Sequence, residues 1–163
     1  MIALRKITWE NFDDVISLKV APEQDDFIAD NVYSLAQSYV ALSNGDTPYP
    51  FAAYKGDECI GFVFMAYEET GDVDEDGNVA EETGFHIVRF MIDQKHQGKG
   101  YGKELMKVCL DWMKEKTAVR PFAVNLSYND NNMVARNLYA SFGFAETGET
   151  NDAGEVEAKL YIY

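Results

Sequence analysis

The sequence predicts an α/β fold, with a twisted, mixed but mostly antiparallel sheet of six to seven strands and about four helices beside it. Short alternating apolar runs, typical of strands, are interleaved with amphipathic stretches at helical spacing. The composition, 47% hydrophobic and 26% charged over 163 residues, is that of an ordinary globular protein. No repeat, linker or low-complexity tract interrupts the chain, so residues 1–163 are predicted to form a single domain.

The first part of the chain predicts one short strand and two helices. Residues 2–7 alternate as a strand, after which Thr8 or Asn11 can cap a helix over residues 11–19. A second helix is predicted over residues 31–42. Its expected inward face consists of the apolar residues at helical spacing: Val32, Leu35, Ala36, Tyr39 and Val40.

The middle of the chain predicts three neighbouring antiparallel strands. Residues 51–55 and 59–67 flank the dipeptide Gly56-Asp57, which suits a tight hairpin turn. Residues 85–92 form the third strand, after an acidic loop. The prolines Pro48 and Pro50 predict a turn before the first of these strands.

The last part of the chain alternates helices with strands. Residues 101–113 and 131–142 carry apolar stripes at helical spacing, and Gly143 suits the left-handed position that ends a helix. The remaining predicted strands cover residues 122–126, 145–150 and 156–163, the last two as a closing hairpin.

A glycine-rich turn, Gln97-Gly98-Lys99-Gly100-Tyr101-Gly102, joins the strand over 85–92 to the following helix. Successive backbone N–H groups of such a turn converge, and the first turn of the helix adds unpaired donors and a partial positive charge. Glycine is required where a Cβ would obstruct close backbone approach or where the dihedral angles are unusual. The turn is therefore predicted to bind a phosphate chain of an anionic cofactor.

The net charge of −14 is unevenly distributed. Residues 1–94 carry 19 acidic and 5 basic side chains, whereas residues 95–120 carry 7 basic and 3 acidic ones. The acidic field argues against a nucleic-acid partner and favours cationic partners. Within the basic segment, Lys99, Lys103 and Lys107 share one helix face, which either attracts phosphates or is simply solvated.

Membrane and metal functions are not expected. No apolar run reaches membrane-spanning length, and the N-terminus lacks the apolar region of a signal peptide, so we expect a cytoplasmic protein without a membrane partner. The segment Asp72-x-Asp74-x-Asp76-Gly77 resembles the start of a calcium loop, but Thr83 stands where the closing glutamate is needed. We predict no metal site and interpret residues 68–82 as a solvated hairpin tip. The β-forming tail over 156–163 offers an edge for a homodimer.

Two elements of the sequence resemble the GNAT superfamily of acyl-CoA N-acyltransferases. The family signature Arg/Gln-x-x-Gly-x-Gly/Ala, between a strand and a helix, is matched by Gln97, Gly100 and Gly102. Further along, Asn132, Tyr139 and Gly143-Phe144 resemble the family's asparagine, tyrosine and Gly-Phe positions in order and spacing. The resemblance covers most of the chain and implies a GNAT-like fold, acetyl-CoA as cofactor and N-acetyltransferase activity.

The N-terminal helices are similar to those of bacterial spermine/spermidine acetyltransferases. The similarity lies in Glu23-Gln24, Phe27-Ile28-Ala29 and residues 33–37, and also in the strand segment Phe90-Met91-Ile92-Asp93. It implies transfer of an acetyl group to a primary amine of a small cationic acceptor, a polyamine such as spermidine or spermine. The acidic first half of the chain would attract such an amine.

The resemblance also implies roles for individual residues. Backbone groups near Met91 would bind the pantetheine arm and the thioester oxygen. Asn132 would hydrogen-bond the cofactor arm or cap its helix, and Tyr139 would be the general acid that protonates the departing thiolate. The complete set of expected cofactor-binding residues is Phe90, Met91, Ile92, Gln97, Gly98, Lys99, Gly100, Tyr101, Gly102, Lys103, Asn132 and Tyr139.

The sequence leaves the general base open. An alkylamine with a pKa of about 10 arrives protonated and must lose a proton to a side chain, directly or through water. Glu23 and Glu82 are the candidates for binding the amine and removing its proton. Asp26 and His86 are further candidates for binding the acceptor.

Two alternatives also remain open. The acceptor can be an aminoglycoside, an amino acid or a protein N-terminus, with the same cofactor chemistry. The chain can instead be a non-catalytic acyl-CoA-binding module, a reading that the presence of Tyr139 disfavours.

Overall fold

The computed structural model describes residues 1–163 and contains one seven-stranded sheet. In chain order the strands are β1 (Ile2–Lys6), β2 (Thr47–Lys55), β3 (Glu58–Glu68), β4 (Gly84–Ile92), β5 (Phe122–Tyr128), β6 (Ala145–Thr150) and β7 (Val156–Ile162). Their order in the sheet is β1-β2-β3-β4-β5-β7-β6, and only the β4–β5 pair is parallel. The predicted mixed, mostly antiparallel sheet is confirmed.

Four α-helices accompany the sheet: α1 (Phe12–Ser17), α2 (Asn31–Ser43), α3 (Tyr101–Lys116) and α4 (Met133–Ser141). Two 3₁₀ turns, Pro22–Phe27 and Gln94–His96, were not predicted from the sequence. No helix combines the length and the apolar character that crossing a membrane requires.

The core lies on both faces of the sheet because successive residues of a strand point to opposite sides. On β3, Val63 and Met65 belong to the larger cluster with α3, whereas Phe62 and Phe64 pack on the other side with Val15 of α1. Strand β3, which is covered on both faces, therefore needs an apolar residue at nearly every position. This requirement explains why residues 59–67 read as one continuous apolar run.

The predicted inward face of α2 is wrong except at Leu35, which packs against the core cluster of Val15 and Phe62. Val32, Tyr39 and Val40 are 56%, 71% and 56% exposed, and the buried positions of the helix are instead polar: Asn31, Ser34 and Ser38. The buried side chains satisfy their donors on nearby carbonyls, as Asn31 Nδ2 does on Val15 O at 2.9 Å. Small, locally satisfied polar groups let a helix approach its neighbours closely, and such a face leaves no apolar signal in the sequence.

Strand β2 begins at Thr47, four residues earlier than predicted, and contains both Pro48 and Pro50. Only residues 51–55 of β2 pair with β1, so both prolines lie where one side of the strand has no partner. Proline is tolerated at such an edge because its missing N–H costs no ladder hydrogen bond. The predicted hairpin turn at Gly56-Asp57 is confirmed by the Lys55–Glu58 pair on either side of it.

Strands β4 and β5 pair over only four residues and then diverge. Residues 84–87 of β4 lie opposite residues 123–126 of β5, and neither strand has a partner on that side beyond these positions. Next to this point, Ile87 pairs with Met65 and Arg89 pairs with Phe64, which leaves Val88 as an extra residue on β4. Such a bulge bends a strand, and here it coincides with the opening between β4 and β5.

Candidate active site

A cavity of about 830 Å³ occupies the opening between β4 and β5. Residues 87–92 of β4 form one wall, and residues 127–129 at the end of β5 form another. The glycine turn, α4, the Pro22–Phe27 turn with its flanking residues, and Glu155 before β7 supply further lining residues. The volume lies in the range of small-molecule sites, which is about 300–1,000 Å³.

The β4 wall presents strand backbone to the cavity. Phe90, Met91 and Ile92 pair with β3 on one side but have no strand partner on the β5 side. Ile92 O on this open edge accepts a hydrogen bond from Gln97 Nε2 at 2.9 Å. An extended ligand with amide groups can pair with such an edge as an added strand would.

The glycine turn has the conformation that the sequence predicts for it. Gly98 and Gly100 have φ angles of +75° and +82°, a region that favours glycine. Gly100 is also the N-cap of α3 and has no side chain to satisfy the first N–H groups of the helix. These donors have no acceptor within the helix, so they are free for an anion.

Gly102 differs from the other two glycines of the turn. A Cβ at this position would meet only Leu138 Cδ2, at the ordinary distance of 3.7 Å, and the φ angle is not positive. The protein itself therefore does not require glycine at this position. Glycine here leaves the backbone open to the close approach of a ligand.

The side chain of Gln97 connects three segments that line the cavity. Its Nε2 donates to Ile92 O at the end of β4 and to Gln24 Oε1 in the Pro22–Phe27 turn, at 2.9 and 2.8 Å. Gln24 Oε1 also accepts from the backbone N–H of Ala21, at 3.2 Å. Gln97 thus holds the glycine turn in a fixed position relative to both neighbours.

Lys99, just before α3, and Lys103 and Lys107 within it are not equivalent. Lys107 forms an ion pair with Asp111, Nζ to Oδ2, at 2.5 Å. Lys99 and Lys103, nearer the glycine turn, are exposed and form no ion pair, although neither side chain lines the cavity. Their charges remain available to a phosphate group at the cavity mouth.

Tyr139 is 8% exposed and lines the cavity, with its ring packed edge-on against Phe90 and Phe144 at centroid distances of 6.3 and 5.9 Å. Its hydroxyl forms no hydrogen bond within the protein. Burial, followed by Tyr128, Cys109 and Glu155, raises the pKa of Tyr139 far above its usual range. The phenol is therefore protonated at neutral pH and available as a proton donor.

Asn132 caps α4: its Oδ1 accepts a hydrogen bond from the backbone N–H of Ala135 at 3.2 Å. The residue also lines the cavity. The side-chain amide nitrogen has no protein partner, so capping and ligand binding are compatible at this position.

The structure separates the four residues considered for the acceptor side. Glu23 and Asp26 line the cavity as exposed residues of the Pro22–Phe27 turn. Glu82 lies outside the cavity, where its Oε1 is bound by Lys159 and by the hydroxyl of Tyr161. His86 also lies outside, with Nε2 2.6 Å from Glu68 Oε1. Of these four residues, only Glu23 and Asp26 are therefore positioned to contact an acceptor in this cavity.

The acidic loop that resembles a calcium site uses its oxygens internally. Asp74 Oδ1 accepts from the backbone N–H groups of Asp76 and Asn78, at 3.0 and 2.8 Å. The side-chain amide of Asn78 donates to Asp74 Oδ2 at 2.9 Å, and this hydrogen bond, followed by the one from the backbone N–H of Asn78, lowers the pKa of Asp74. The loop thus forms a tight exposed turn away from the cavity.

Sequence reasoning missed two charged residues of the cavity wall, Arg89 and Glu155. Arg89 follows the bulge in β4 and is half-buried; its Nε is buried without a hydrogen-bond partner. Burial lowers the pKa of the Arg89 guanidinium, an effect opposed by Glu155 and Tyr33. Glu155 immediately precedes β7. An arginine within an apolar strand was a signal available in the sequence, whereas nothing distinguished Glu155 from its acidic neighbours.

Comparison with known proteins identifies the family of the chain. Residues 2–144 match the model of the acetyltransferase (GNAT) family. The chain is 27% identical over 158 residues to the spermine/spermidine N(1)-acetyltransferase of Bacillus subtilis strain 168, and the match covers 94% of each chain.

Two solved structures share the fold. One is the PaiA N-acetyltransferase from Thermoplasma acidophilum in complex with coenzyme A, with 16% identity, a TM-score of 0.68 and 99% of each chain covered. The other is the aminoglycoside acetyltransferase AAC(6')-Ib in complex with coenzyme A, with 15% identity and a TM-score of 0.72 over 98% and 94% of the two chains.

The matched region contains β4, the glycine turn and Tyr139, which are the elements that first indicated the family. The prediction of an acetyl-CoA-dependent N-acetyltransferase is therefore confirmed. The chain belongs to the acetyltransferase (GNAT) family.

Proposed function

We propose that the protein transfers the acetyl group of acetyl-CoA to a primary amine of a polyamine, spermidine or spermine, by direct attack of the amine. The observation behind this proposal is that one cavity is lined both by the glycine turn and Tyr139 and by the carboxylates of Glu23, Asp26 and Glu155. Carboxylates attract a polycation. The name of the Bacillus subtilis relative supports the same acceptor class.

The residues present fit the cofactor. Residues 97–103 would bind the pyrophosphate through the turn and the free N–H groups of α3, and the open edge of β4 at residues 90–92 would pair with the amides of the pantetheine arm. Asn132 would hydrogen-bond the same arm through its free amide nitrogen. Acetyl-CoA supplies an acetyl group activated as a thioester.

Tyr139 would protonate the departing sulfur. Its burial keeps the hydroxyl protonated, and the absence of a protein partner leaves the proton free to be donated into the cavity. The packing against Phe90 and Phe144 fixes the ring, and hence the position of the hydroxyl oxygen. General acid catalysis of this kind contributes about 10²- to 10⁴-fold to turnover.

Arg89 favours a second candidate acceptor, an amine that also carries a carboxylate, such as an amino acid. Its guanidinium lines the cavity and forms no ion pair with any carboxylate of the chain. The guanidinium donates to two neutral acceptors, Val88 O at 2.7 Å and Gln37 Oε1 at 3.3 Å, so a carboxylate of the acceptor would supply the counter-charge that the protein does not.

A panel of amines distinguishes these acceptors. Release of free thiol from acetyl-CoA is measured with spermidine, spermine, single amino acids, a peptide with a free N-terminus and an aminoglycoside. We expect the highest kcat/KM with spermidine or spermine. Preferential turnover of amino acids would instead support the role of Arg89 as a carboxylate anchor, and cofactor binding without turnover of any amine would contradict both proposals.

A further inference from the structure

We infer that Glu155 is the carboxylate that receives the acceptor ammonium group and accepts its proton. This inference rests on the proposed acetylation of an amine in the cavity, and it assigns the general base, which the sequence left open. It replaces Glu82, whose carboxylate is bound by Lys159 and Tyr161 outside the cavity.

The fold holds Glu155 in place at the cavity wall. One carboxylate oxygen, Oε1, accepts hydrogen bonds from Asn151 Nδ2 at 3.1 Å and from Ser127 Oγ at 3.4 Å. The backbone N–H of Glu155 donates to Asn151 Oδ1 at 2.9 Å, so the same asparagine fixes both the main chain and the side chain. The second oxygen, Oε2, has no protein donor and is free for a ligand.

The charge of Glu155 is not neutralised by an ion pair. Glu68 of β3, Glu82 before β4 and Glu104 of α3 are also half-buried, and each lies against a histidine or lysine within 4 Å, whereas Glu155, like Glu157 of β7, has no basic group at that distance. A bound ammonium group would therefore supply the missing counter-charge.

Glu155 differs in burial from Glu23 and Asp26, the other two carboxylates of the cavity. Glu155, Tyr139 and Arg89 line the same cavity, and the charge of Glu155 contributes to the raised pKa of Tyr139 and opposes the lowering of the pKa of Arg89. Glu23 and Asp26 are exposed residues of the Pro22–Phe27 turn, whereas Glu155 is half-buried. We assign the exposed pair to attraction of the acceptor at the mouth and Glu155 to contact with the reacting nitrogen.

The proton transfers balance with these groups. One N–H bond of the ammonium group breaks as its proton moves to Glu155, directly or through one water. The freed lone pair forms the C–N bond to the thioester carbonyl carbon, and the C–S bond breaks. Tyr139 gives its proton to the departing sulfur and regains one from the nitrogen, which keeps one hydrogen in the amide. Glu155 then releases its proton to solvent.

The test compares Glu155→Gln with Glu149→Gln. Glutamine keeps an oxygen for Asn151 and Ser127 but cannot accept the proton. Glu149 lies on the same hairpin, is exposed and does not line the cavity, so its variant removes an equal charge without touching the site. Measurements are kcat and KM for spermidine between pH 7 and pH 9 and the acetyl-CoA dissociation constant by calorimetry.

At pH 7 we expect Glu155→Gln to lower kcat/KM by about 100-fold or more, with acetyl-CoA affinity unchanged. Because the neutral fraction of an amine with a pKa of about 10 rises tenfold per pH unit, the deficit should shrink toward pH 9. The other titratable groups of the cavity are Arg89, Tyr101, Tyr128, Tyr139, Glu23, Asp26 and His96, and they are the same in both variants and in the wild type. Glu149→Gln should match the wild type throughout.

A Glu155→Gln enzyme within threefold of the wild type would overturn the assignment, and so would a deficit that stays constant with pH or a weakened acetyl-CoA affinity. The wild-type enzyme tests the acceptor separately. If it acetylates another amine instead of spermidine, the polyamine proposal fails and the same comparison on that amine decides the role of Glu155. If it acetylates no amine, both proposals fail.

Discussion

The two sides of the cavity are built in different ways. The donor side, residues 90–92 and 97–103, consists mainly of backbone groups from one strand–turn–helix segment. The acceptor side takes its charged groups from three separate places: the Pro22–Phe27 turn, Arg89 of β4 and Glu155 before β7. A phosphate chain can be bound by local backbone, whereas an amine requires charges that only the complete fold brings together.

The first way to test this comparison is to change the donor-side backbone at Gly100. We expect Gly100→Val to eliminate measurable acetyl-CoA binding in a calorimetric titration, because a β-branched residue is strongly disfavoured at a φ angle of +82°. Nothing lies within 4 Å of the added Cβ, so the turn changes conformation while the domain stays folded.

Gly45→Val is the matched control for this strain. Gly45 has a φ angle of +89°, equally open surroundings and a position after α2 that does not line the cavity. This variant should bind acetyl-CoA normally. Unchanged affinity in Gly100→Val, or an equal loss in both variants, would contradict the role of the turn.

A second, smaller effect is expected at Tyr139, where the two sides meet. Tyr139→Phe removes only the hydroxyl and keeps the ring packed against Phe90, so kcat should fall by about 100-fold or more while both KM values change little. Tyr67→Phe, on a half-buried tyrosine outside the cavity, is the control. A turnover number within threefold of the wild type at saturating substrate would refute the general acid.

The donor side could be predicted from the sequence because its information is local. Glycines at positions 98 and 100 mark positive φ angles, and Asn132 and Tyr139 follow at a characteristic spacing on one helix. The strands and helices were also predictable, since β3 and α3 have strong apolar patterns. The observed element boundaries differ from the predicted ones mainly where a strand gains or loses a partner. The start of β2 is an example, because only residues 51–55 of this strand pair with β1.

The acceptor side could not be predicted to the same extent, because its residues become neighbours only through the sheet. Glu155 and Glu82 are both acidic residues near a strand start, and only the packing of β7 places one inside the cavity and the other beside Lys159. The buried face of α2 was missed for a related reason: Asn31, Ser34 and Ser38 are buried through local hydrogen bonds that periodicity does not reveal.

A third prediction concerns the contact between the two sides, the hydrogen bond from Gln97 to Gln24. Because a neutral hydrogen bond contributes about 1 kcal/mol, Gln24→Ala should weaken acetyl-CoA binding about fivefold, although Gln24 belongs to the acceptor side. In the Gln97→Ala background the same change should have little further effect. Independent, additive effects in this double-mutant cycle would show that the two sides do not communicate through this contact.

The smallest effect is expected on the exposed lysines of α3, where side-chain charge assists the donor-side backbone. Lys103 forms no ion pair, so Lys103→Ala should weaken acetyl-CoA binding by about 1.4-fold to fivefold, as expected for an exposed charge pair of about 0.2–1 kcal/mol. Lys107, one turn further on, is already paired with Asp111, and its alanine variant is the control. The difference between the two should shrink at 0.5 M salt, because screening acts on exposed charges but not on the N–H groups of the turn. An equal effect of both lysines would mean that the field of the whole helix, rather than proximity to the turn, attracts the phosphates.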